Sequence, residues 1–112
     1  MVNKVLKFRD YLVEPILSRK KDITWRFFDE KNISAGDEID LINWNTKEKF
    51  GEAIVTDVWE KIMGELEAKD FEGHEKFNNK EEMYDKYRVY YGNRINEDTI
   101  VKIIHFKLKA AT

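Results

Sequence analysis

The chain has 112 residues, 42% hydrophobic and 38% charged, with 20 Lys and Arg against 22 Asp and Glu and no Cys. That length fits a single domain over residues 1–112 and leaves no room for a separate cofactor domain, while the aromatic content is too high for a disordered chain. Absence of Cys excludes disulfides, thiolate metal sites, iron–sulfur ligation and cysteine nucleophiles, and suits a reducing compartment.

No apolar run approaches the roughly 20 residues that span a bilayer, and residues 1–8 alternate Lys with apolar side chains instead of forming a signal-peptide core. A cytoplasmic protein is therefore expected, with no membrane partner, no cofactor and a monomer as the default state. Lys and Glu are abundant and Gln is absent, a bias of proteins from hot environments, although eight Asn residues point the other way.

Residues 2–8 read as a short strand, with Val5, Leu6 and Phe8 among Lys4 and Lys7. Pro15 breaks a helix running through it, so a helical turn is expected near Glu14, with Pro15 at its first position and Ile16 and Leu17 facing inward. Residues 23–28 alternate, which puts Ile23, Trp25 and Phe27 on one face and Thr24, Arg26 and Phe28 on the other. After a turn at Ser34-Ala35-Gly36, residues 37–42 alternate again with Ile39 and Leu41 inward, and residues 43–46 have turn chemistry. The run 50–63 is long enough to require a bend or bulge, and Gly64 closes it.

Residues 66–73 read as a short helix or capped turn. A stronger helix follows, with Asn79 as N-cap and Glu82 three residues on, Met83, Tyr87 and Tyr90 at helical spacing, and Gly92 at the C-terminal cap. Residues 99–108 form the last strand, with Ile100, Ile104, Phe106 and Leu108 on one face and Val101, Ile103 and His105 on the other. This order predicts an α+β domain built on a small, mostly antiparallel β-barrel with short flanking helices.

Charge is balanced overall but not along the chain. Residues 1–26 carry +4 and residues 101–112 carry +3, whereas residues 27–59 and 60–85 carry −5 each. If the two ends become neighbouring strands, they form a basic face able to attract a phosphate backbone. The plainer alternative is a mixed, solvated surface.

The densest polar cluster is Ser18, Arg19, Lys20, Lys21, Asp22, Thr24 and Arg26. A partly desolvated Lys21 near the Thr24 hydroxyl could accept its proton, and Arg26 could hold a carbonyl, carboxylate or phosphate through its planar fork. A solvated loop paired with nearby carboxylates is the structural alternative. Asp70, Glu72, His74 and Glu75 form a second cluster, but two His and no zinc spacing predict no metal site. His105 reads as a half-buried, hydrogen-bonded side chain. Dinucleotide-binding, P-loop and nucleophile-elbow motifs are absent. Most aromatic residues recur at core spacing, and Trp44, between Asn43 and Asn45, is the one expected to be exposed and able to stack on a base.

Residues 16–26 (ILSRKKDITWR), the Ala35-Gly36-Asp37 turn and residues 101–108 (VKIIHFKL) together resemble the activating signal cointegrator homology (ASCH) domain over nearly the whole chain. The resemblance implies a PUA-like barrel with a cleft lined by a G-x-K-x-x-T-x-R segment. Lys21, Thr24 and Arg26 fill the last three motif positions, and Arg19 stands where the Gly is usual. Two functions follow from the resemblance. One is recognition of RNA or a modified nucleobase, with Lys20, Lys21, Thr24 and Arg26 as ligand-binding residues. The other is hydrolysis of N4-acetylcytidine-like nucleosides, with Thr24 attacking the acyl carbon, Lys21 accepting its proton and Glu75 orienting the leaving group. His74 lies one register from that Glu. A protein-interaction role for the barrel is the third reading.

Overall fold

The computed structural model describes residues 3–28, 31–74 and 76–109. The alternating segments form strands β1 (Lys4–Phe8), β2 (Ile23–Arg26), β3 (Glu38–Asn43), β4 (Lys49–Ile62) and β5 (Ile100–Leu108), with helices α1 (Asp10–Leu17) and α2 (Lys80–Tyr91). They make one five-stranded sheet in the order β1-β3-β4-β5-β2. β1 and β3 are parallel and every other pair is antiparallel. A parallel pair needs a crossover, and α1 and β2 lie within it.

The sheet curls into a half-barrel whose edges, β1 and β2, meet through side chains and not through a ladder. Arg26 Nη2 donates to the Lys7 carbonyl at 2.8 Å, and Lys31 Nζ donates to the Val5 carbonyl at 2.7 Å. On the facing edge, Lys21 Nζ donates to the Ile23 carbonyl at 2.7 Å. Edge carbonyls thus receive charge-assisted bonds from Lys21 and Arg26 of the motif and from Lys31 beyond it. The chain ends are not neighbouring strands, contrary to expectation. β1 pairs with β3 alone, and it is β2 that joins β5, with Thr24 opposite Ile104 and Arg26 opposite Lys102.

Helix α1 starts four residues before the predicted Glu14, and Pro15 lies inside it. Its first N–H, from Asp10, is accepted by the Asn45 side chain at 2.8 Å, so the cap comes from a turn 35 residues away and leaves no local signal. Ile16 is buried as expected, but Leu17, one residue and about 100° further round the helix, is exposed. The predicted features of α2 are present: Asn79 Oδ1 accepts the Glu82 N–H at 2.8 Å, and Gly92 at φ +76° ends the helix. β4 carries the expected bulge, between Val55 and Asp57. β2 ends sooner than expected, because Phe28 has φ +54° and turns outward.

Both faces of the sheet are covered. Leu6, Phe8, Ile39, Leu41, Ala53, Val55, Ile104 and Phe106 pack with Ile16 of α1 on one face. Ile23, Trp25, Phe27, Val101 and Ile103 pack with Met83 and Tyr87 of α2 on the other. β5 therefore buries alternate residues in two different cores, as its two apolar faces foretell.

Candidate functional site

The unclosed seam between β1 and β2 opens into a cleft of about 500 Å³. Thr24, Trp25 and Arg26 of β2 form one wall, and Lys7 and Phe8 of β1 face them. Arg9, with Tyr11 and Leu12 of α1, lies at one end, and Lys86, Tyr87, Val89, Tyr90 and Tyr91 approach from α2. Lys31, Trp44 and His74 complete the lining. Five of these side chains are Lys or Arg, and none of the described lining residues is Asp or Glu. In a chain of net charge −2, this gathers positive charge where the sheet is open.

Thr24 and Arg26 sit on one face of β2 because they are two residues apart in a strand. Arg26 Nε donates to Thr24 Oγ1 at 3.3 Å, and the guanidinium lies 4.7 Å from the Phe8 ring centre. These contacts fix the planar fork at the mouth of the seam. Lys21, only 4% exposed, is not among the lining residues, and its ammonium bonds the Ile23 carbonyl. Lys20 is exposed outside the cleft. Glu75 lies outside the described residues. The structure thus brings Thr24 and Arg26 together in the cleft, with Lys21 buried outside its lining.

Arg19, at the position where the motif usually has Gly, has φ +67°. The loop keeps the left-handed conformation that Gly favours, although the side chain makes it costly. Lys21 and Lys20 then turn back to donate their backbone N–H groups to the Pro15 carbonyl, which leads the chain into β2.

Below the cleft, Trp25 stacks on His74 with ring centres 4.0 Å apart, and the Tyr87 hydroxyl is 3.1 Å from His74 Nε2. The Trp25 indole N–H is buried with no hydrogen-bond partner among the described residues. His74 is delivered by Gly73, whose carbonyl accepts the N–H groups of Asp22 and Ile23 at the start of β2. The Asp22 carboxylate packs where a Gly73 side chain would be, and it accepts from His105 Nε2 at 3.1 Å. The other His105 nitrogen faces the hydroxyl of the bulge residue Thr56, so His105 is the satisfied, half-buried residue its position implied.

The preceding single-turn helix, Ala68–Phe71, is held by Asp70. Burial pushes the Asp70 carboxyl's pKa up, but hydrogen bonds from Lys61, at 2.8 Å, and from the Glu67 N–H outweigh it and leave it below the usual carboxylate range. Tyr90 at the rim is shifted upward, first by burial and then by its contact with the Tyr11 hydroxyl, and stays a neutral phenol.

Lys7, Arg9, Tyr11 and Lys86 escaped the sequence reading as site residues. Each belongs to an element remote in sequence from the Lys21–Arg26 segment, and only the +4 charge of residues 1–26 hinted at the first two. No group of His, Asp and Glu among the described residues is arranged to hold a metal ion. No described helix is long and apolar enough to cross a membrane.

No protein-family model and no curated protein matches this sequence. Solved structures do resemble it. A protein of Enterococcus faecalis V583 superposes with a TM-score of 0.76 at 12% identity, covering 96% of this chain and 80% of its own. The ASCH domain from Lactobacillus crispatus JV V101 gives 0.73 at 12% identity, over 94% of this chain and 79% of that one. A protein of Pyrococcus furiosus gives 0.66 at 22% identity, over 98% and 100%. With more than nine-tenths of its length superposed on such structures, this half-barrel with a seam between β1 and β2 has the fold of an ASCH domain.

Proposed function

We propose that the seam is a binding cleft for RNA, taking one unstacked nucleobase, plain or modified, with flanking phosphates on its basic rim. The observation that carries this reading is the lining: five cations, no described carboxylate, and the Thr24 hydroxyl and aromatic rings of Phe8, Tyr11, Trp44 and Tyr90 among them. An unstacked base needs a flat apolar contact and a few polar groups for its edge, and a phosphate needs a planar or mobile cation. The cleft volume is within the range usual for small-ligand sites. The hydrolytic alternative needs the Lys21 amine beside Thr24, whereas the Lys21 side chain is not part of the cleft lining and bonds the Ile23 carbonyl.

Fluorescence anisotropy with short single-stranded RNAs at two salt concentrations tests the proposal. Binding that weakens with salt is expected, and Lys7→Glu or Lys86→Glu flattens the log–log slope by about 0.7 for each phosphate that the variant no longer neutralises. Salt-insensitive binding, or none at any accessible concentration, defeats it. Incubation with N4-acetylcytidine in parallel reads out free cytidine, whose release, abolished in Lys21→Ala, makes the cleft an active site instead.

A further inference from the structure

At the rim of the cleft the Arg9 guanidinium lies between two exposed rings, 3.7 Å from the Trp44 ring centre and 4.7 Å from that of Tyr90. All three residues also line the cleft. Trp44 is 41% exposed, yet its backbone is tightly held. Its N–H donates to the Phe8 carbonyl at 2.7 Å, and its carbonyl accepts from Lys47 Nζ at 2.6 Å. The preceding Asn43, itself buried, accepts the N–H groups of Asn45 and Thr46 through its side chain. A large apolar ring presented to solvent on so constrained a turn is preorganised for contact.

We infer that the slot between Trp44 and Tyr90 is a second nucleobase subsite, in which the flat Arg9 guanidinium holds the place of a base adjacent in the RNA strand to the one in the cleft. This rests on the cleft reading above and specifies its ligand as a dinucleotide unit rather than a lone nucleoside. A guanidinium and a base are both planar and stack on aromatic faces, so a slot that accepts one accepts the other. The base that displaces the guanidinium carries a linking phosphate, and Arg9 exchanges two cation–π contacts for a charge-assisted hydrogen bond to that anion. Lys47, 4.1 Å from the Trp44 ring centre, remains to support the indole. The competing explanation is an internal clasp that only fastens the 43–47 turn to α2.

The test compares CMP with the dinucleotide CpC, and AMP with ApA, by titration calorimetry on wild type, Trp44→Ala and Trp44→Phe. In wild type each dinucleotide is expected to bind roughly tenfold more tightly than its mononucleotide. Trp44→Ala brings the dinucleotide-to-mononucleotide affinity ratio down to about one, with mononucleotide affinity measured alongside because Trp44 also lines the cleft, and Trp44→Phe retains part of the ratio. A dinucleotide advantage unchanged in Trp44→Ala overturns the inference, and so does a wild type that binds mononucleotides but gains nothing from the second base. Failure of all four ligands to bind removes the cleft reading and this subsite together, whereas absence of the gain alone spares the cleft.

Discussion

The two cores on either side of β5 differ in kind. The one beneath α1 is aliphatic apart from Phe8, Phe106 and the half-buried Phe50, and its polar neighbours, such as Asn43, have their hydrogen bonds made. The one beneath α2 is aromatic, built around Trp25, Phe27 and Tyr87, with His74 stacked in it and an indole N–H left without a described partner. The first holds the sheet together, and the second forms the floor of a cleft. A core that also walls an open cleft is not enclosed on every side, which is where departures from good packing are expected.

The contrast can be broken most forcefully in the aliphatic core. Leu41→Ala, at a fully buried position, is expected to cost about 4 kcal/mol in chemical denaturation while leaving cleft affinity at low temperature intact. Gly73→Ala attacks the joint between the aromatic core and β2. Its new carbon would overlap Asp22 Oδ1, in a backbone with φ +76°. A destabilisation of about 3 kcal/mol is expected, together with weaker ligand binding, because Asp22 and His74 both move. A variant as stable as wild type would show that Asp22 does not fill the space beside Gly73.

Asp70→Asn sharpens the comparison through pH. The Asp70 pKa is lowered on folding, so its contribution is full above the unfolded value near 3.8 and disappears as pH falls through the folded value. At pH 7 the substitution is expected to cost about 2 kcal/mol, the scale of a buried hydrogen bond to a charged group. Melting curves of mutant and wild type should converge in strong acid, and a gap that persists there contradicts a stabilising role for the ionised carboxylate. The smallest effect is expected at Trp25→Phe. The cavity it opens is offset by removal of an N–H that has no partner among the described residues, for a net change of about 1 kcal/mol or less. A destabilisation as large as that of Leu41→Ala would show that the indole N–H is well satisfied in solution.

Much of the fold is visible in local pattern. Alternation at 37–42 finds β3 with Ile39 and Leu41 inward, and Asn79 with Gly92 bounds α2 to the residue. What local pattern misses is supplied from elsewhere in the chain. Asn45 caps α1, so its start is invisible near Asp10, and β1 and β2 pair with β3 and β5, strands that no local signal beside them identifies. Of the candidate site, Thr24 and Arg26 are legible from a strand motif and Trp44 from its polar turn. Arg9 and Lys86 are not, because a seam gathers residues by geometry alone.

That seam also bears on how the protein behaves at high concentration. The outward carbonyls of Val5 and Lys7 on β1 form a row that a strand of another molecule could extend, the usual route from an open sheet edge to aggregation. The Lys31 and Arg26 side chains lie across those two carbonyls. Substituting both with Ala therefore threatens solubility as well as ligand affinity, so weaker binding in such a variant means little until light scattering shows that it is still monodisperse. The cations that line the cleft also lie across the sheet edge that a second molecule would have to reach.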